Sequence, residues 1–157
     1  IKDIHSILMK NILDVSGLYR DTNVRILGAS FIPCDYLSVR NNMKYFIEDY
    51  KENKKMMNTI ELSSWVHAEF VKIHPFIDGN GRTARLLMNF ILLKGDLLPI
   101  TITTDNKLEY YESLDEYGKC GNISSFKELI ENIEIKRLSE YVEEIDFNIA
   151  AEKSKSI

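Results

Sequence analysis

His74-Pro75-Phe76-Ile77-Asp78-Gly79-Asn80-Gly81-Arg82-Thr83-Ala84-Arg85 is the stretch on which the reading of this chain turns. It holds a proton acceptor, a carboxylate, a two-glycine turn and two guanidinium groups. Apolar residues recur at helical spacing on both sides: Leu62, Trp65, Val66 and Phe70 before it, Leu86, Leu87, Phe90, Ile91 and Leu93 after it. Gly79-Asn80-Gly81 therefore falls at the start of the second of two helices. Glycines there permit positive φ and let backbone approach a ligand closely. Unpaired N–H groups and the helix dipole then make an anion site. Arg82 and Arg85, three apart, face one side of the first turn, and two forked guanidiniums suit a polyphosphate. Asp78 would repel such an anion unless a Mg²⁺ ion bridged them. His74 is the group whose ordinary pKa suits general-base work near neutrality. Singly, each has a plain structural reading: a core histidine, a turn aspartate, a solvated arginine face. Gathered in one segment, they point to chemistry at the phosphates of a nucleotide.

Outward from this stretch the patterning is mostly helical. Ile1 to Leu13 has apolar residues on one face. From Gly17 to Pro33 the texture changes to two short β-prone runs around Gly28, which predict a hairpin. Val39, Met43, Phe46, Ile47 and Tyr50 mark a helix running into the lysines near Lys54. Asn58 with Glu61 forms an N-terminal capping pair for the helix before the motif. The helix after it, stopped at Gly95, is apolar nearly all round and so predicted to be central. Leu98 to Thr103 reads as extended. Asp105 opens a helix through Tyr110, Tyr111 and Leu114, broken at Gly118 and Gly121. Ser125 with Glu128 reads as a capping box, and a last helix covers about 133–151. The expected fold is all-α, one domain over 1–157 with its core in about 1–135 and a small β-hairpin.

Composition bounds the rest. The chain of 157 residues can bury one real core, and its apolar and charged fractions, 45% and 28%, are ordinary for a globular domain. A net charge of −4 argues against a nucleic-acid partner, which calls for a basic surface. No apolar run is long enough to span a membrane. Cys34 and Cys120 match no metal spacing and would not staple a domain of this size, which suits a reducing, cytoplasmic setting. Ile1 already lies inside a helical pattern, which leaves room for a segment upstream.

The motif resembles in full the signature of the Fic family, H-x-F-x-[D/E]-G-N-G-R-x-x-R. Gly17-Leu18-Tyr19-Arg20 with Val24 to Pro33, Leu98 to Ile102, and Tyr110-Tyr111 are similar to further family segments. The resemblance implies an all-α Fic fold and a protein adenylyltransferase that uses ATP and Mg²⁺. Its partners would be a protein substrate and ATP, with automodification expected and a homodimer left open. By position, His74 would deprotonate a Tyr, Ser or Thr hydroxyl. Asp78 would hold Mg²⁺. Asn80 with the backbone of Gly79 and Gly81 would cradle the attacked phosphate, and Arg82 and Arg85 would neutralise the leaving part. A flap at Val24, Arg25, Ile26, Leu27 and Gly28 would dock the target's backbone, and Tyr111 would wall the adenine.

Two departures stand out. The family's inhibitory helix, [S/T]-x-x-x-E-[G/N], is met only loosely by Ser139 to Glu144, which makes Glu143 the candidate brake, with an upstream segment as the other choice. Gly118 stands where animal relatives tend to carry an asparagine near the base. Gly79-x-Gly81-x-x-Ala84 also fits a loose dinucleotide fingerprint, but no strand precedes it. A metal site of His67, His74 and Asp78 leaves the glycines and arginines unexplained. An idle interaction module is disfavoured by the presence of His74 and Asp78. Transfer of another phosphate-containing group, or removal of AMP, stays open.

Overall fold

The computed structural model describes residues 1–155, with side chains described as far as Ile149. Among the described residues six helices make up the regular structure: α1 (Lys2–Leu8), α2 (Val39–Met56), α3 (Thr59–Ile73), α4 (Asn80–Lys94), α5 (Lys107–Cys120) and α6 (Ser124–Lys155). A 3-10 turn, Tyr36–Ser38, leads into α2. Among the described residues there is no strand, so the all-α expectation holds and the hairpin does not.

α3 is the hub, packed against α2, α4, α5 and α6. Its start is local chemistry: the Asn58 side chain accepts from Glu61 N–H, and Glu61 accepts from Asn58 N–H. That reciprocal cap is worth about 1 kcal/mol. Buried Ser63, Ser64 and Ala68 keep α3 thin enough to be surrounded, while Phe70, Val71 and Ile73 fill the core. The central helix is thus α3 and not α4. On α4, Ala84, Met88 and Leu92 are buried, but Leu86, Phe90 and Leu93 are 49%, 54% and 55% exposed. Apolar content alone does not put a helix in the middle, because burial depends on how many neighbours its faces receive.

The other boundaries follow tertiary contacts. α1 stops at Leu8, with Asn11 at positive φ, so the helix predicted to Leu13 is cut short. α5 begins at Lys107 and runs through Gly118 to Cys120, ending on Gly121 at φ 74°. Leu98 to Thr103 crosses the surface without pairing. Asn89 holds Ile100 at both backbone groups, 2.8 and 3.0 Å, and Leu98 N–H donates to Glu134. Ser125 is not a cap: α6 starts at Ser124, Asn122 accepts from its N–H, and Ser125 donates to Glu116. The two helices expected after Gly121 are one continuous α6. Glu134 is its last buried residue among those described, and beyond it every described position is exposed.

Candidate active site

The motif forms the loop between α3 and α4 together with the first turn of α4. His74 ends α3 in the left-handed region, φ 52° and ψ 59°, just before Pro75. That conformation is costly for a residue with a side chain, and the surroundings enforce it. Arg20 does most of the enforcing. Its Nε donates to the His74 carbonyl at 2.8 Å, its other donors reach the carbonyls of Thr22 and Cys34, and its own N–H donates to Pro75 O at 2.9 Å. A buried fork of this kind ties the motif to the segment that precedes the flap, which no lysine could do with the same geometry.

His74 Nδ1 lies 3.1 Å from the Val71 carbonyl. A carbonyl only accepts, so Nδ1 carries the proton and Nε2 is left with its lone pair. Burial pushes the His74 pKa below its usual value, and Arg20 adds to this; the Val71 carbonyl and Asp78 oppose it in part. A neutral imidazole with a free Nε2 is the form a general base needs.

The glycine turn is held from beneath by α1. Gly17 N–H donates to His5 Nδ1 at 2.9 Å, so His5 Nε2 is the protonated nitrogen and donates to Asp78 O, also at 2.9 Å. The His5 ring stacks on Phe76 with centroids 3.6 Å apart. Gly79 sits at φ 76°, and a Cβ there would meet Met9 Sδ at 2.6 Å. Both its conformation and the close approach of α1 require glycine.

Asn80 is a correction. Its side chain is 1% exposed, and both ends are spent on Phe76: Oδ1 accepts from Phe76 N–H at 2.9 Å and Nδ2 donates to Phe76 O at 2.8 Å. The amide closes the loop on itself, and the buried side chain does not line the cavity that opens over these groups. The backbone N–H groups of the first turn and the two arginines are the donors placed for an anion. Thr83 also turns inward, donating to Gly79 O at 2.9 Å.

The charged groups stay at the surface of this frame. Asp78 Oδ1 accepts from Gly79 N–H at 2.6 Å, and Oδ2 stands 3.8 Å from Arg82. Arg82 also reaches Met9 Sδ. The Arg85 guanidinium folds over the first turn, 3.5 Å from where a Gly81 Cβ would be, and lies beside the Tyr110 phenol. Tyr110 in turn meets His67 Nε2 at 2.9 Å. His67 is fully buried; burial, with the Arg85 charge added, pushes its pKa down to about 3. It is thus a neutral core group, and no cluster of three metal-ligating side chains occurs among the described residues.

A cavity of about 470 Å³ opens over these groups, lined by His74, Gly81 and Arg85 on one side and by Tyr110, Tyr111 and Leu114 of α5 on another. Residues 26–29 and Phe31 form its roof. Where the hairpin was expected, the chain is an open loop with a turn closed by Ala29 N–H to Ile26 O at 3.2 Å and Gly28 at φ 84°. Two short segments cannot sustain a ladder without a third strand to support them. Of the five flap residues named from sequence, Ile26, Leu27 and Gly28 line the cavity; Val24 is half-buried and Arg25 exposed outside its lining. Tyr111 lines it. Glu143 does not come to the site: it lies on the exposed part of α6, and no ion pair joins it to Arg85 among the described residues.

Residues to which the sequence reading gave no site role are His5, Met9, Arg20, Tyr110 and Asp115. Arg20 and Tyr110 were noticed only as parts of family-like segments, and the spacing of His5 and Met9 one turn apart was the remaining signal.

The Fic/DOC family profile matches residues 1–92, more than half of the chain. The chain belongs to the Fic/DOC family. It is 36% identical over 113 residues to the protein adenylyltransferase Fic of Nematostella vectensis, covering 71% of this chain and 26% of that protein. Against the protein adenylyltransferase fic-1 of Caenorhabditis briggsae it is 30% identical over 138 residues, 80% of this chain and 27% of that one. A solved fragment of Fic-1 from Caenorhabditis elegans superposes with a TM-score of 0.83 at 26% identity, over 94% of this chain and 43% of the fragment. The chain thus spans about a quarter of the length of the curated relatives it matches.

Proposed function

We propose that this Fic domain is a protein adenylyltransferase, transferring AMP from ATP to a Tyr, Ser or Thr hydroxyl of a target protein or of itself. The observation that carries it is the His74 tautomer: a neutral imidazole whose free nitrogen belongs to the residue at the mouth of an amide nest. The incoming hydroxyl gives its proton to His74 Nε2, its oxygen bonds to the α-phosphorus, and the bond to the β-phosphate breaks to release pyrophosphate. In-line displacement of this kind rests on positioning and on charge neutralisation. Amides of the α4 N-terminus face the phosphate under attack, with Arg82 and Arg85 carrying positive charge beside the leaving group.

Asp78 is the residue that would hold Mg²⁺. One exposed carboxylate with unfilled acceptor capacity fits an ion that takes its other ligands from phosphates and water. When bound, the ion would neutralise phosphate charge that the carboxylate otherwise opposes. A cavity of about 470 Å³ with apolar walls from α5 and the flap suits a nucleotide's base and sugar, Tyr111 standing as one wall. The flap backbone near Val24 to Leu27, bonded only at the Ile26 carbonyl, suits addition of an extended target segment. The acidic balance fits a protein target rather than nucleic acid, and among the described residues no helix is long and apolar enough to cross a membrane. Cytoplasmic residence and a homodimer belong to the same proposal.

The test is incubation with ATP, GTP, CTP, UTP and CDP-choline, each labelled in the transferred part, and γ-labelled ATP as control. Label from α-labelled ATP reaching protein, lost on chelation, is the expected result. Label from γ-labelled ATP would make the domain a kinase, and label from another nucleotide would change the transferred group.

A further inference from the structure

Outside the motif, the flap is fastened to α5. Asp115 on α5 accepts twice from Ser30, from N–H at 2.6 Å and from Oγ–H at 2.6 Å. One turn further along α5, Gly118 leaves a notch that Phe31 fills. A Cβ at Gly118 would lie 2.1 Å from the Phe31 ring, with two further ring atoms within 2.5 Å. Helix interiors disfavour glycine by about 1 kcal/mol relative to alanine, so its presence two residues before Cys120, the last of α5, goes with the close approach it permits. Lys119 pairs with Asp115 at 2.8 Å, and it and Ser30 hold the carboxyl down to about 2. The acceptor therefore stays ionised through any working pH.

Phe31 stands between two cavities. It lines the 470 Å³ cavity with His74 and Arg85, and also a second of about 370 Å³ that contains Glu69, Lys72 and Tyr45. The ring is the wall that keeps them apart. Residues on the cavity side of the latch, 26–29, have one backbone hydrogen bond of their own, so their height over the cavity depends on what holds residues 30 and 31.

We propose that Asp115 and Gly118 are positioning residues that lock Ser30 and Phe31 onto α5, close the end of the nucleotide cavity and so set nucleotide affinity without touching the phosphates. The role of the cavity rests on the proposed activity; the latch itself rests on geometry alone. It also gives the departure at Gly118 a purpose. A larger side chain there would occupy the place of Phe31, so the flap supplies the wall that a side chain on α5 would otherwise provide.

The experiment pairs hydrogen exchange of amides 24–31 with calorimetric titration of Mg-ATP into the whole chain. Asp115→Ala removes both bonds and Gly118→Ala expels the ring. Each should speed exchange of the flap and weaken ATP binding about tenfold, the loss expected when one or two such bonds no longer hold the roof. Asp115→Asn keeps a carbonyl for Ser30 N–H and should stay within about threefold of the parent, less than one bond's usual worth. Unchanged flap exchange in Asp115→Ala overturns the latch. Faster exchange with unaltered ATP affinity overturns the positioning role. A parent protein that binds no nucleotide overturns the proposed activity, and the exchange measurement then still decides the latch.

Discussion

The motif loop and the flap face each other across one cavity, yet they are built in opposite ways. The loop is tied down from every side: Arg20 on the His74 carbonyl, His5 beneath Asp78, Asn80 across Phe76, Met9 against Gly79. Its backbone from His74 to Gly79 is largely spent on bonds to neighbours, leaving the amides of the first turn of α4, and its left-handed residues are held by neighbours rather than by propensity. The flap has one turn bond and one latch, with Leu27 fully exposed at its tip. The proposed chemistry at phosphorus tolerates little error in position, which the over-determined backbone of the loop suits. The proposed docking of an extended target calls for unpaired N–H and C=O groups, which the sparsely bonded flap would offer.

The sharpest way to break that contrast is at the loop's reacting group. His74→Ala should lower AMP transfer by about two orders of magnitude or more while ATP affinity stays within a few-fold; equal losses in both, measured by label transfer and calorimetry, would make His74 a structural residue. Next in size is the clamp. Arg20→Ala strips three carbonyls of their donor and should cost about 3 kcal/mol of stability in denaturant unfolding, with Arg20→Lys recovering little of it. Asn80→Ala leaves Phe76 N–H buried and unpaired and should cost about 2 kcal/mol. If Asn80 served the phosphate instead, stability would hold and ATP affinity alone would fall.

Titration sharpens the contrast further. As the proposed base, His74 would act when neutral, and burial lowers its folded pKa. Activity should therefore persist below pH 6.5 and fall only as pH drops through the depressed value, read as the acid limb of the kcat profile. Behind the loop, His67 has a folded pKa of about 3 against an unfolded value near 6.5. The folded state binds fewer protons there, so its contribution to stability is whole above pH 6.5 and shrinks as pH falls toward 3. His67→Gln should flatten that part of the unfolding profile; an unchanged slope would assign the acid loss to carboxylates. The smallest effect is expected at Glu143. It lies nine residues beyond Glu134 on an unbroken helix, about 14 Å further out. Glu143→Gly should leave automodification within about twofold, and a larger rise would require α6 to fold back on Arg85.

Much of the site was legible because it is contiguous. His74, Asp78, the glycines and both arginines fall within a dozen residues, and the helix-start reading of Gly79-Asn80-Gly81 depends only on local periodicity. The family's segments then pointed to the flap and to Tyr111. What escaped were contacts across the chain. His5 meets Asp78 from 73 residues away and Ser30 meets Asp115 from 85. The family resemblance implied Asn80 as a phosphate ligand; the direction of its amide, into the Phe76 N–H and C=O, is visible only in the tertiary structure.

By itself the sequence determined what can be decided by neighbours in the chain: the helical periods, the Asn58–Glu61 cap, the αL glycine at 79, and the chemistry concentrated from His74 to Arg85. Tertiary structure decided what depends on packing between distant elements. It made α3 the hub instead of the more apolar α4, left residues 22–34 without a ladder, joined two expected helices into α6, and seated Phe31 in the space at Gly118. Local rules fix φ, ψ and helix ends within a few residues, whereas burial and hydrogen-bond partners depend on which surfaces the whole chain brings together.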